Sequence, residues 1–303
     1  MKTIVLATIA VVAAITVGRS VVTLSPTTTA ADVFTGTSPC PDFAKPFLRI
    51  PAEVKCDRVK WQLTIRPDAK TYELTREYGF HVDNRTYQSH GSGTIEGTFA
   101  KTKGRASDPE ATVFQLSRDG SQSISFAAID QNVLHLLDTD KRLTVGNSGA
   151  SYTISRIPAV ATTTYAFTNQ APFNEGVVSA KALFSGRSPC HEIAKELKRS
   201  VAGDCFRLKW ALELRRDPQT LLPTTYKLRG TLYSDPSSGE HPREGTWKVM
   251  RGTRTNVYQL DAVGSEGPIY LLRADDGILF FLDNSGRLLV GDKDFSYTLN
   301  QSQ

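Results

Sequence analysis

Four cysteines, five histidines and a basic motif written twice are the side chains of this 303-residue chain that could do chemistry. An even number of cysteines in an exported chain points to disulfides, and four of them permit three pairings. Cys40 and Cys56 lie 16 positions apart and Cys190 and Cys205 lie 15 apart, each pair at the same place in its own half, so the pairing read here is Cys40 with Cys56 and Cys190 with Cys205. A metal site built from all four would need close-spaced ligand pairs, which the chain lacks. The histidines are His81, His90, His135, His191 and His241. None has the i, i+4 spacing of a helical metal pair, and no His-Glu-x-x-His, Gly-x-Ser-x-Gly or phosphate-loop motif is present. His191, beside Cys190, is a weak metal-ligand candidate whose plainer reading is an exposed first-turn residue. With only Met1 and Met250, a soft thioether site for Cu(I) has too few sulfur ligands. No catalytic residue is assigned, and the expectation is a protein that is not an enzyme.

The basic motif is Arg58-Val59-Lys60-Trp61, repeated as Arg207-Leu208-Lys209-Trp210. Strand alternation puts Arg58 and Lys60 on one face and Val59 and Trp61 on the other, with Arg207, Lys209 and their neighbours arranged alike. The functional reading is a basic edge that binds an anionic group or an acidic protein. The plainer reading is a solvated outer face over a buried tryptophan. Glu96 and Glu244, at equivalent places ahead of Gly-Thr, are expected as edge partners for these bases.

The motif belongs to a duplication that covers most of the chain after residue 31. Phe34-Thr-Gly-Thr-Ser-Pro-Cys40 returns as Phe184-Ser-Gly-Arg-Ser-Pro-Cys190, and Thr71-Tyr72 as Thr225-Tyr226. Glu96-Gly97-Thr98-Phe99 returns as Glu244-Gly245-Thr246-Trp247, and Val113-Phe-Gln-Leu116 as Val257-Tyr-Gln-Leu260. Toward the end, Leu137-Asp138 matches Leu282-Asp283, Arg142 to Gly146 matches Arg287 to Gly291, and Ser151-Tyr-Thr153 matches Ser296-Tyr-Thr298. The division that follows is a targeting segment over 1–31, a first repeat over 32–157, a linker over 158–182 and a second repeat over 183–303.

Elements that position these motifs read as strands. Trp61 to Ile65, Thr71 to Tyr78, Gly97 to Ala100, Thr112 to Leu116, Ser123 to Ala128, Val133 to Asp138, Leu143 to Val145 and Ser151 to Ile154 are short alternating or β-branched runs. Turn chemistry such as Asp119-Gly120 and Asn284-Ser285-Gly286 separates runs of this kind. The fold class is therefore all-β with one short helix: two tandem small antiparallel β-barrels. The helix is placed from His191 to Val201, where Ile193, Ala194, Leu197 and Val201 fall at helical spacing; Pro41, Pro46 and Pro51 argue against a regular helix in the first repeat.

The order of Gly36, Pro39-Cys40, Thr71-Tyr72, Gly97-Thr98-Phe99 and Leu137-Asp138, and of Gly186, Pro189-Cys190, Thr225-Tyr226, Gly245-Thr246-Trp247 and Leu282-Asp283, resembles the amino-terminal domain of the copper resistance lipoprotein NlpE family, once in each repeat. The resemblance implies a small lipocalin-like barrel in the bacterial envelope, linked to copper tolerance and envelope-stress sensing. Two features of the family are missing. Its second cysteine is Phe43 here in the first repeat and Ile193 in the second, so the Cys-x-x-Cys role does not carry over, and no cysteine near residues 15–32 can take a lipid.

Composition narrows the function classes further. With 40% hydrophobic and 22% charged residues, the chain is neither wholly disordered nor a polytopic membrane protein. Thirty-six basic against 31 acidic residues leave a net charge of +5, too thin a surplus to argue for nucleic acid. Lys2 and the apolar run from Ile4 to Val17, about 14 residues where a spanning helix needs ~20, predict a signal peptide or, if uncleaved, an amino-terminal anchor as the one membrane attachment. The expected location is periplasmic or secreted, in the bacterial envelope. Two functions follow: a binding or sensing protein with an envelope-protein partner, or a lipocalin-like carrier of a small apolar ligand with Trp61, Tyr72 and Phe99 lining a void. No cofactor is required, and copper enters only through the resemblance.

Overall fold

A computed structural model describes residues 30–83, 86–120, 122–162, 164, 167–168, 178–198, 200–201, 203–232, 242–252, 256–264, 266–275 and 277–302. The expected targeting segment lies almost wholly outside the described residues. The first repeat supplies β1 (Asp32–Pro39), β2 (Arg58–Arg66), β3 (Thr71–His81), β4 (Tyr87–Arg105), β5 (Asp108–Arg118), β6 (Gln122–Ala128), β7 (Val133–Leu136) and β8 (Thr153–Arg156). Each pairs antiparallel with the next, and β8 returns to β1, which closes an eight-stranded barrel without free edges.

After β9 (Phe167–Thr168), the second repeat runs β10 (Lys181–Ser188), α1 (His191–Glu196), β11 (Leu208–Arg216), β12 (Pro223–Leu232), β13 (Arg243–Gly252), β14 (Asn256–Leu260), β15 (Ile269–Asp275), β16 (Ile278–Leu282) and β17 (Thr298–Gln301). Pairing of β10 with β17 and of β12 with β13 closes the second barrel. The linker is not structureless, because β9 adds to β13.

The repeated motifs are the joints of each barrel. Along β2, Val59, Trp61, Leu63 and Ile65 are buried while the residues between them face outward. Gly36 pairs with Trp61 and Gly186 with Trp210, and two residues on a serine meets each indole. Trp61 Nε1 donates to Ser38 Oγ at 2.8 Å and Trp210 Nε1 donates to Ser188 Oγ at 2.8 Å. That bond satisfies a buried donor, which ties the Ser-Pro-Cys motif to the Lys-Trp motif physically. The Glu-Gly-Thr motif has a steric origin. A Cβ on Gly97 would stand 2.9 Å from the Tyr72 ring, and one on Gly245 would stand 3.1 Å from the Tyr226 ring.

Both expected disulfides are present, with Cα separations of 5.7 Å for Cys40–Cys56 and 6.0 Å for Cys190–Cys205. Each joins the end of one strand to the start of the next and holds the intervening segment against the barrel. In the first repeat that segment is a 3-10 turn, Asp42–Ala44, and an irregular stretch whose Phe47, Leu48 and Ile50 enter the core. In the second it is α1, which buries Ile193 and Ala194 and ends sooner than the spacing predicts, because Lys198 takes a left-handed φ of 56°. Removing the second bridge as Cys190→Ala/Cys205→Ala is expected to cost about 3 kcal/mol, the entropy of closing a loop of about 15 residues, read from urea unfolding.

A third apolar cluster lies between the barrels and is built from matched pairs. Val113 and Val257 hold equivalent places, as do Ala127 and Leu272, Val133 and Ile278, Leu137 and Leu282, and Leu143 and Leu288. Apart from Arg105, which donates to Ala274 O at 2.7 Å and pairs with Asp275 at 3.4 Å, the following polar contacts across this seam are reciprocal too. Gly146 N–H donates to Asn300 Oδ1 at 2.8 Å, and Gly291 N–H donates to Ser155 Oγ at 3.1 Å. Thr153 Oγ1 meets Thr298 Oγ1 at 3.1 Å, and the His135 ring meets its counterpart Phe280 edge to face. Exchanging the repeats maps each of these reciprocal contacts onto itself or its mate, which is the signature of an isologous, approximately two-fold interface inside one chain.

Candidate functional site

The alternation expected for the basic motif holds, and it separates the four bases. Lys60 pairs with Glu77 on β3 at 3.1 Å and lies over the Tyr87 ring, while Lys209 is exposed on β11. Glu96 and Glu244 do not serve these bases as expected. Glu96 faces Glu73 in register and Glu244 pairs with Lys227, because the bases on β2 and β11 meet the adjoining strand at other positions. Arg58 and Arg207 behave differently, since both stand half-buried where β2 and β11 begin, at the mouth of the seam.

A third arginine joins them that motif reading missed. Arg187 occupies the place of Thr37 in the first repeat, inside the repeated Phe-x-Gly-x-Ser-Pro-Cys. That departure from the repeat was the available signal. Arg58 Nη2 and Arg187 Nη1 come to 3.8 and 3.9 Å from the point where a Cβ on Gly149 would sit. Burial, and then the charges on Arg207 and Arg58, hold the Arg187 guanidinium below its ordinary pKa. Arg58 is lowered as well, mainly by burial, with Asp57, Tyr87 and Asp294 opposing and Arg207 adding to the effect. Arginine stays charged through such shifts, so the seam mouth concentrates positive charge.

The loops that frame this site are again paired. Asn147 Oδ1 accepts from Gly149 and Ala150 N–H, and Asp292 Oδ1 accepts from Asp294 and Phe295 N–H, two equivalent side-chain-closed turns. Asn300 Nδ2 donates to Asn147 O at 3.3 Å and Thr37 Oγ1 donates to Lys293 O at 2.8 Å, so each turn is moored to the opposite barrel. Two acids lie nearby and act on Arg58 while holding other partners: Asp294 pairs with Lys293 at 2.6 Å, and Asp57 holds the His81 backbone and ring. Beside the arginines, Phe206 is 49% exposed, carries the Arg207 guanidinium over its ring and leans on Phe295.

Other candidates are placed differently. His191 is exposed at the first position of α1. His241 lies outside the described residues. Among the described residues, no three His, Cys, Asp or Glu side chains come together as metal ligands would. His135 is fully buried in the seam: Nε2 lies 2.9 Å from Thr144 O, and Nδ1 lies 2.9 Å from Thr153 Oγ1. A carbonyl can only accept, so Nε2 carries the proton and Nδ1 accepts from the threonine. Burial pulls its pKa down to about 4. Trp61, Tyr72 and Phe99, set as the test of a carrier, are buried together with Phe47, Phe114 and Phe126 in one core cluster.

Fold and site together define the class: an all-β protein of two disulfide-tied, eight-stranded barrels joined across an approximate two-fold seam with an arginine cluster at its mouth. Comparison with protein-family models, curated proteins and solved structures finds no match. Both disulfides suit an oxidising compartment, and among the described residues no helix is long and apolar enough to cross a membrane.

Proposed function

We propose that the protein is a non-enzymatic binding or sensing component of the bacterial envelope, periplasmic or secreted, which recognises an anionic ligand or acidic partner at the seam. The observation that carries this reading is the approach of Arg58 and Arg187 to one point beside Gly149 where the two barrels meet, with Arg207 close enough for its charge to act on both. Like charges brought together and partly desolvated raise the free energy of the unliganded site, and an anion relieves that cost. Carriage of a small apolar ligand inside a barrel is supported less, since the aromatic positions meant to line a void pack against one another. A link to copper tolerance or envelope stress is an expectation of the NlpE resemblance, and no ligand set among the described residues adds to it.

The test is salt elution from immobilised dextran sulfate. Arg58→Gln/Arg187→Thr/Arg207→Gln is expected to elute at clearly lower salt than Lys103→Gln/Lys141→Gln/Lys248→Gln, which removes the same charge elsewhere. Equal elution of the two variants would show that only net charge matters and would remove the reading.

A further inference from the structure

We propose that the mouth of the seam is a site for an amphiphilic oxyanion, a phosphate-type headgroup held by Arg58 and Arg187, with Arg207 adding positive charge beside them and an apolar portion laid on Phe206. This rests on the anion-binding reading above and names the ligand class. Its basis is a place where the approximate two-fold symmetry is broken. The turn of the second repeat carries Asp294, whose charge acts on Arg58, and Thr37 of the first barrel bonds the carbonyl of its neighbour Lys293. At the equivalent position of the other turn stands Gly149, and the residue facing it is Arg187. One side of the seam therefore supplies its own carboxylate, while the other replaces the carboxylate with hydrogen and adds a guanidinium. Space and charge both change in the direction that admits an external anion.

Chemistry of the donors selects the headgroup. Guanidinium groups offer planar forks that match carboxylate or phosphate oxygens two at a time. The forks of Arg58 and Arg187 come together beside Gly149 and Arg207 adds a third positive charge nearby, an arrangement that a phosphate ester, with three terminal oxygens and up to two charges, answers more fully than a carboxylate with two oxygens and one charge. Phe206 supplies the second half of the recognition. It is half exposed directly beside Arg207, backed by Phe295, so an apolar tail leaving the headgroup meets an aromatic surface instead of water.

The experiment is calorimetric titration of the full exported chain at constant ionic strength in chloride, with inorganic phosphate and hexyl phosphate as probes. Saturable 1:1 binding is expected, tighter for hexyl phosphate by severalfold, with Phe206→Ala erasing the difference between the two. Arg187→Thr and Gly149→Asp each copy the residue of the other repeat, and each is expected to weaken hexyl phosphate binding about tenfold or more. Folding of both is checked by circular dichroism, and Arg187→Thr alone suffices if Gly149→Asp does not fold. Flotation with phosphatidylcholine vesicles, with and without phosphatidic acid, assigns the source. Binding to acidic vesicles points to a lipid headgroup, and binding to the soluble ester alone points to a free phosphate ester. Absence of saturable binding, or wild-type affinity in Arg187→Thr, overturns the inference. If dextran sulfate retention still depends on the three arginines in that case, the broader reading survives.

Discussion

Replacing Ile278 with aspartate is expected to destabilise the protein by about 4–5 kcal/mol and to split its unfolding into two transitions. Ile278 is fully buried, on β16, yet it belongs to the cluster between the barrels and not to either barrel's own core. A carboxylate there would lose its water without gaining a partner among Val133, Leu137, Leu282 and Leu288, all apolar members of the same cluster. Because that cluster is what couples the two barrels, wild type should unfold as one cooperative unit despite its duplicated architecture. Ile278→Val, which removes one methylene, should cost about 1 kcal/mol and keep a single transition. Scanning calorimetry reads both quantities. Two transitions already present in wild type would mean that the seam does not couple the barrels.

The second large effect is on acid stability. His135 has an ordinary pKa of 6.5 and is held at about 4 in the folded protein by burial, opposed by its bond to Thr144 O. The folded state therefore binds fewer protons than the unfolded chain at intermediate pH. Its contribution to stability is complete above about 6.5, declines as pH falls, and is gone below about 4, a loss of roughly 3 kcal/mol. His135→Phe installs the residue that the second repeat carries at the equivalent place, Phe280, and cannot titrate. The variant should be somewhat less stable than wild type at pH 7, because Thr144 O loses its donor, but its stability should change far less between pH 7 and 4.5. Urea unfolding at several pH values gives the difference between the two proteins, in which the carboxylates common to both cancel. Parallel curves would show that His135 does not sense pH.

A buried neutral histidine and a seam with no partner for a carboxylate at Ile278 have one cause, the apolar outer faces of β14 to β16 and of their counterparts in the first barrel. A barrel with a wet outer face alternates apolar and polar residues, as β2 does. The strand β16, Ile278-Leu-Phe-Phe-Leu282, is buried at every position. That unbroken apolar run was visible as a string of letters, but periodicity alone does not say what covers the second face, and the answer lies 145 residues away in its own duplicate.

Much of each barrel was legible because its joints are local and chemically particular. A cysteine pair spanning about 15 residues, a tryptophan bonded to a serine, and a glycine opposite a tyrosine are each imposed by contacts between neighbouring strands, so the duplication writes them twice. Where the pattern was weak, the elements were missed or cut short. The strand β1, Asp32–Pro39, mixes buried Thr37 and Ser38 with apolar residues. The long β4, Tyr87–Arg105, is mostly glycine, serine, threonine and lysine and shows few buried positions. Both are strands because barrel closure pairs their backbones, a constraint that no side-chain pattern records. The arginine site was half legible on the same terms. Arg58 and Arg207 belong to a repeated motif, whereas Arg187 is a departure from one, and Gly149 matters only for the carboxylate it lacks. By itself the sequence determined two disulfide-tied strand repeats with basic residues facing outward. Only the tertiary structure decided which of those bases converge, because convergence depends on how two apolar faces meet across the chain's own approximate two-fold axis.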